Sequence, residues 1–426
     1  MNKNILFLVD HKHRDLPGLS LIGHHLNKQG FKVFYRQVWD FKYLYFNPSI
    51  IIIPKANNGS KEFIDKCNKW RSSGIKLAVI ETEGNEQWLK GKKIMNTIPD
   101  IFFFWNEIEL EKHKNFLKEN NIIGKVIGSP RLDFFKPQLF ENIHKKNKDI
   151  LKSELRIDNR LKIITIATNN SYEGLSKENI KLKEKRYSEV YEDCNFYEYL
   201  DFMKDVRKTN IFYIEHLARK FKNYNIVLKP HPNENVKFWK DFIKNYPNIK
   251  LLLGKNISDL LCISDIHIGM TICLIIIEAK LLNIPTIELS PLNIKTNQIF
   301  HDDHIGMGDY VVNSKKELDN SINKALGKTF KKKSIDDYIK KYYYKFDGQR
   351  AKEYANFISN FLKSNNFSSI KNNIIKNFFE FIMYFLRSLN QSIFQDNSGF
   401  DKRGRFDNRI KKGDENNWLK LYQKIF

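Results

Sequence analysis

The chain has 426 residues, 42% of them hydrophobic, so it is long enough for two ordinary domains and too apolar to be disordered. Its net charge of +23 points to an anionic partner: nucleic acid, a phosphate-bearing substrate or an acidic membrane surface. The basic residues lie in many short Lys clusters rather than one stripe, and no nucleic-acid-binding module is visible, which argues against nucleic acid; a Lys/Asn/Ile-rich composition accounts for part of the excess.

Taken in chain order, Ile5 to Val9 is a buried strand, too short to be a signal peptide. Gly18 to Gln29 reads as a helix closed by Gly30. Strands follow at Lys32 to Tyr35 and Ser49 to Ile53, a helix at Ser60 to Ser73, and strands at Lys76 to Ile80 and Ile101 to Trp105. Glu107 to Asn120 is a helix and Lys125 to Ile127 a last short strand. Residues 138–160 are polar and Lys-rich and read as a linker.

The pattern then restarts. Lys162 to Ala167 is a strand, Glu178 to Phe202 an inserted loop and helix, Asn210 to Lys222 a helix and Ile226 to Lys229 a strand. Phe238 to Asn245, Ile257 to Ile263 and Leu274 to Leu282 are helices between strands at Ile249 to Leu253, Ile266 to Ile268 and Ile284 to Ile287. The expected fold class is α/β: two facing Rossmann-like domains, 1–137 and 161–335, with a cleft between them. Helices over 336–366 and a basic, aromatic tail over 367–426 complete the chain. In that tail Asn373 to Phe394 and Asp401 to Phe426 are amphipathic helix candidates; they suit either a membrane interface or packing on the body.

No segment reaches the roughly 20 apolar residues of a membrane-spanning helix, so a cytoplasmic protein is expected. Cys67, Cys194, Cys262 and Cys273 are scattered, without a Cys-x-x-Cys pair, which fits a reducing compartment and gives no structural zinc. No Gly-x-Gly-x-x-Gly follows the first strand and no Walker motif occurs, so neither a dinucleotide cofactor nor any other cofactor is expected.

Five stretches carry candidate chemistry. Lys229-Pro-His-Pro232 ends a strand, and its two prolines preset the backbone around His231, which suits hydrogen bonding to a phosphate. Glu81 and Glu83, in Glu-Thr-Glu-Gly84, stand after another strand as candidate general bases. In Gly128-Ser-Pro-Arg-Leu-Asp133, Arg131 is a candidate anion or hinge residue and Asp133 a candidate catalytic carboxylate. Thr168, Asn169 and Asn170 offer a phosphate-binding turn, and Thr271 begins a helix on which Glu278 is placed for ribose hydroxyls. Each stretch also has a structural reading: a rigid turn with an idle histidine, solvated acids, or an Arg131–Asp133 hinge pair.

Together with Phe346-Asp-Gly-Gln-Arg350, these motifs resemble bacterial surface carbohydrate (capsule and lipopolysaccharide) glycosyltransferases of GT-B fold, related to CMP-Kdo and CMP-sialic acid transferases; the likeness covers most of residues 1–362. It implies an acceptor-side first domain and a nucleotide-sugar-binding second domain, with closing helices that return to the first. It implies that Lys229, His231 and Pro232 hold the phosphate of a CMP-linked donor, without a metal, and that an acid of the 81–84 loop moves a proton or stabilises charge. The acceptor it implies is a glycan or lipid-linked glycan at the inner face of the cytoplasmic membrane. The chain departs from the family at Cys273-Leu-Ile-Ile-Ile277, where hydroxyl residues are usual and only Thr271 remains, which puts the donor's identity in question. A CDP-polyol phosphotransferase of teichoic-acid type is the first alternative, a UDP- or GDP-sugar transferase the second, and an inactive scaffold or a nucleic-acid-binding protein the non-enzymatic ones.

Overall fold

In a computed structural model, residues 3–40, 48–56, 61–82, 92–93, 95–145, 147–169, 177–188, 191–192, 195–232, 234–328, 330–364, 382, 410 and 413–426 are described. The first half runs β1 (Asn4–Val9), α1 (Lys12–Lys28), β2 (Lys32–Gln37), β3 (Ile50–Ile53), α2 (Lys61–Ser72), β4 (Lys76–Ile80), β5 (Lys92–Lys93), β6 (Ile101–Phe104), α3 (Glu107–Lys112), α4 (Lys114–Glu119), β7 (Ile123–Val126), α5 (Pro137–His144) and α6 (Asn147–Glu154). The second runs β8 (Ile163–Ala167), α7 (Lys177–Ser188), β9 (Tyr191–Glu192), α8 (Phe196–Lys220), β10 (Asn225–Lys229), α9 (Val236–Ile243), β11 (Ile249–Leu251), α10 (Ile257–Cys262), β12 (Ile266–Met270), α11 (Leu274–Leu281), β13 (Thr286–Leu289), β14 (Tyr310–Val312) and α12 (Lys315–Ala325). Helices α13 (Asp336–Tyr343), α14 (Arg350–Ser364) and α15 (Asp414–Ile425) follow.

Two six-stranded parallel sheets form, in the orders β2-β1-β3-β4-β6-β7 and β11-β10-β8-β12-β13-β14. Strands such as β3 and β6 are apolar and buried along their whole length, and β8 is buried throughout with Thr165 its one polar residue, because helices cover both faces of a parallel sheet. In each sheet the strand order reverses once, at β1 (between β2 and β3) and at β8 (between β10 and β12). Ligands of open parallel sheets bind beyond the carboxyl ends of the strands at such reversals. A two-residue antiparallel ribbon, β5 with β9, also links the halves.

The first-half core extends beyond its own sheet. Tyr354, Ile358 and Leu362 of α14 are buried in it, as is Tyr422 of α15, and Ile277, Ala279 and Leu281 of α11 join from the second half. Phe103 meets Tyr354 edge-on, with ring centroids 4.9 Å apart.

Several elements differ from the sequence expectation. Helix α1 begins at Lys12 and contains Pro17, because only one carbonyl, that of His13, loses its donor to the proline. The helix expected over 107–120 is broken at His113 into α3 and α4. The segment expected to be a linker carries α5 and α6. Helix α8 starts at Phe196, well before the expected Asn210, capped by the Asn195 side chain. The expected helix over 373–394 lies outside the described residues apart from Ile382. No helix among the described residues is long and apolar enough to cross a membrane.

Candidate active site

Two of the sequence motifs lock together. Gly128 adopts φ +89° after β7, and a Cβ there would lie 2.7 Å from the Tyr343 carbonyl oxygen, so glycine is required. The Tyr354 hydroxyl donates to the Gly128 carbonyl (2.7 Å) and Arg350 Nη1 to that of Ile127 (3.1 Å). Asp133 accepts from the backbone amides of Arg350 (3.2 Å) and Ala351 (2.8 Å), closing the amino end of α14. This clamp fixes the turn that carries Arg131 into the cleft.

A cavity of about 280 Å³ lies between the halves. From the first half it is lined by His11, His13, Arg14 and Arg131; from the second by Thr168, Asn169, Lys229 to Pro232, Gly254, Lys255 and Ile272 to Ile275. These residues follow β1, β7, β8, β10, β11 and β12, so the cavity occupies both strand-order reversals. No aspartate or glutamate lines it among the described residues. Ile272 sits at φ +57°, a strained conformation for a β-branched side chain, and leads into the amino end of α11.

The Asp10-His-Lys-His-Arg-Asp15 run escaped the sequence reading, although its position directly after the first strand was a usable signal. His11 caps α1: its Nδ1 accepts from the Arg14 amide (3.2 Å), so in the neutral ring the proton sits on Nε2. His13 Nδ1 meets Asn256 Oδ1 of the other half at 2.7 Å. An amide oxygen only accepts, so that contact puts the proton on Nδ1 and leaves Nε2 as the basic nitrogen. Burial lowers the pKa of His13, and holds His11 well below the ordinary imidazole value with help from Arg14, His13, His231 and Lys229. Both rings are therefore neutral at pH 7, one presenting a donor and the other an acceptor. Arg14 is held by Asp15 (Nε to Oδ1, 2.5 Å) and Asp10 (3.3 Å).

On the opposite wall, Glu234 organises the Pro-His-Pro corner. It is fully buried; Oε1 accepts from the Thr168 hydroxyl (2.6 Å) and the His231 amide (3.3 Å), and Oε2 from Trp239 Nε1 (2.5 Å). His231 and Pro232 line the cavity as a result. Lys229 is only 8% exposed, and burial pushes its pKa down to about 8.

The structure separates the other candidates. Glu81 does not line the main cavity; it lies in a smaller adjoining one beside Arg14, Thr82 and Arg131, and its carbonyl accepts from Trp105 Nε1 (2.7 Å). Glu83 and Asn170 lie outside the described residues. Asp133, expected as a catalytic carboxylate, does not line the cavity: it is buried as the cap of α14, and burial raises its carboxyl to about 7 against the pull of the Ala351 and Arg350 amides. The expected Arg131–Asp133 pair is absent; Arg131 Nη2 bonds instead to Glu278 Oε1 of α11 at 2.6 Å, joining the two halves. Glu278 thus sits at the domain interface and does not line the main cavity; burial raises its pKa to about 7, against Arg131. Thr271 is buried beneath the cavity wall rather than in it, its hydroxyl unpartnered among the described residues. No grouping of three or more His, Cys, Asp or Glu side chains suited to a metal occurs among the described residues.

No protein-family model matches the chain, and no curated protein does. Solved structures do. The wall teichoic acid polymerase TagF matches 85% of this chain and 90% of its own, at 13% identity and a TM-score of 0.51. A TagF variant soaked with CDPG matches at 13% identity and 0.50, over 85% of this chain and 89% of its own. UDP-GlcNAc 2-epimerase from Neisseria meningitidis, bound to UDP-GlcNAc, covers 85% and 100% at 15% identity and 0.49. Such identities speak to fold alone, and the fold is GT-B: two facing Rossmann-like domains with a helical carboxyl-terminal addition.

Proposed function

We propose that the chain is a transferase of GT-B type that moves an acidic sugar (Kdo or a nonulosonic acid) from a CMP-activated donor to a surface glycan or its lipid-linked precursor. The observation that carries this reading is the cavity at both strand-order reversals, walled by Lys229, Lys255, His231, Arg131 and the His11–Arg14 turn, with no carboxylate on its surface among the described residues. Such a wall suits a nucleotide phosphate and a second negative charge. The reading amends the expected base: His13 Nε2 takes the proton of the acceptor hydroxyl, and the acceptor oxygen attacks the anomeric carbon. The bond from that carbon to the CMP phosphate oxygen breaks, and its electron pair leaves with the phosphate. Lys229, His231 and the Nε2–H of His11 stabilise that charge. In this scheme the Lys229 cation and imidazole hydrogen bonds do the neutralising, and no metal takes part. A chain of charge +23 suits peripheral contact with an acidic membrane face, where a lipid-linked acceptor resides.

A second reading is a CDP-polyol phosphotransferase, in which the same hydroxyl attacks the outer phosphorus of a CDP-linked donor and CMP again leaves. It is favoured by the bases that face the cavity being, among the described residues, histidines rather than carboxylates, and by TagF sharing this fold. Thermal stabilisation by CMP, CDP, UDP and GDP, followed by turnover of CMP-Kdo and CDP-glycerol, separates the two. Selective response to CMP with sugar transfer supports the first, CDP with polyol phosphate transfer the second, and preference for UDP or GDP overturns both.

A further inference from the structure

We infer that helix α15 is a working part of the site: it clasps the His11–Arg14 turn from behind, and Asp414 is a positioning residue for His11 and His13. The inference rests on the cavity being the binding site. Beyond α14, which ends at Ser364, the described contacts of Ile410 and Asp414 are made to this turn and to Gln37 beside it. Asp414 Oδ2 pairs with Lys12 Nζ at 2.7 Å. Lys12 lies between the two histidines that line the cavity but does not line it itself, so its side chain is a handle on the outer side of the turn. A second path reaches the same turn. The Ile410 amide donates to Gln37 Oε1 (3.0 Å), while Gln37 Nε2 donates to the carbonyl of Asp10 (2.7 Å). Asp10 in turn holds Arg14 and Lys55 through Oδ2 (3.3 Å each).

The clasp is anchored by burial, not by the ion pair alone. Tyr422 is fully buried, its hydroxyl donates to the Pro17 carbonyl of α1 (3.1 Å), and Trp418 meets Phe134 edge-on at 5.5 Å. Phe134 belongs to the Pro130–Phe135 turn that also carries Arg131. One short helix thus braces both first-half segments of the cavity wall. A turn that must hold two imidazoles in defined tautomers needs such support, since a shift of about 1 Å is enough to lower a rate 100-fold.

The test uses the full-length protein with Asp414→Ala and Asp414→Glu, conservative enough to leave the Tyr422 anchor in place. Hydrogen exchange of peptides covering residues 10–18 is measured without nucleotide, alongside CMP affinity, turnover and the pH profile. For Asp414→Ala the expected result is at least threefold faster exchange confined to that region, a three- to tenfold weaker CMP affinity, and an altered acidic limb, with Asp414→Glu restoring all three. Unchanged exchange overturns the clasp. Faster exchange with unaltered affinity, turnover and pH profile shows contact without positioning and overturns the role assigned to Asp414. A wild-type protein that binds no cytidine nucleotide refutes the functional reading, and the exchange result still decides the clasp by itself.

Discussion

His13 and Asn256 meet across the interdomain cleft, Nδ1 to Oδ1 at 2.7 Å, so the tautomer of a first-half histidine is set by a side chain of the second half. The contact that fixes the proton on Nδ1, and so leaves Nε2 basic, is therefore an interdomain one.

Removing the base tests this first. His13→Gln is expected to lower turnover 10²- to 10⁴-fold with little change in CMP affinity. Because burial lowers the pKa of His13, activity persists below pH 6.5 and falls only as the pH drops through the lowered value. Asn256→Asp adds a carboxylate partner and shifts that acidic limb upward; an unmoved limb counts against the assignment.

Lys229 gives the alkaline limb. Burial brings its pKa down to about 8, so its charge, and with it the affinity for a nucleotide phosphate, is expected to decline as the pH rises through 8. Titration calorimetry with CMP across pH 7 to 9 measures this. Lys229→Met should weaken binding tenfold or more and flatten the pH dependence.

Asp133 and Glu234 separate structure from chemistry. Asp133→Ala removes the cap of α14 and is expected to cost about 1–2 kcal/mol in urea unfolding. Loss of transfer with unchanged stability would instead restore its catalytic reading. Glu234→Ala strands the Trp239, Thr168 and His231 donors, and a cost of roughly 3 kcal/mol together with weakened CMP binding is expected.

The Arg131–Glu278 pair predicts a pH-dependent stability. Burial raises the folded-state pKa of Glu278 from 4.5 to about 7, so its protonated form is favoured by folding. The stabilisation is fully present below pH 4.5 and lost as the pH rises through 7. Glu278→Gln should flatten that slope in denaturant melts, and an unchanged slope would mean another group is responsible.

Much of the fold was legible in the chain itself. Isoleucine runs such as Ile50 to Ile53, alternating with amphipathic segments such as Lys61 to Ser72, specify parallel strands buried on both faces and the helices that cover them. The second-half wall of the site was legible as well, because Lys229-Pro-His-Pro232 restricts its own backbone at a strand end. Short edge elements were not: Tyr310 to Val312 is only three residues long, and Lys315 to Ala325 shows just Leu318, Ile322 and Ala325 as apolar residues on its buried side, beside Ser321.

What the sequence determined, then, was local: strand and helix identity, the two-half plan, and the corner around His231, all encoded by neighbours within a few residues of one another. Partner choice across the cleft needed the tertiary structure. Arg131 bonds Glu278 and not Asp133, Asp133 caps a helix 217 residues away, and Asp414 reaches Lys12. Spacing along a chain carries no record of which carboxylate a guanidinium or an amide will meet once two sheets face each other, so a motif can announce its chemistry while its role waits on packing.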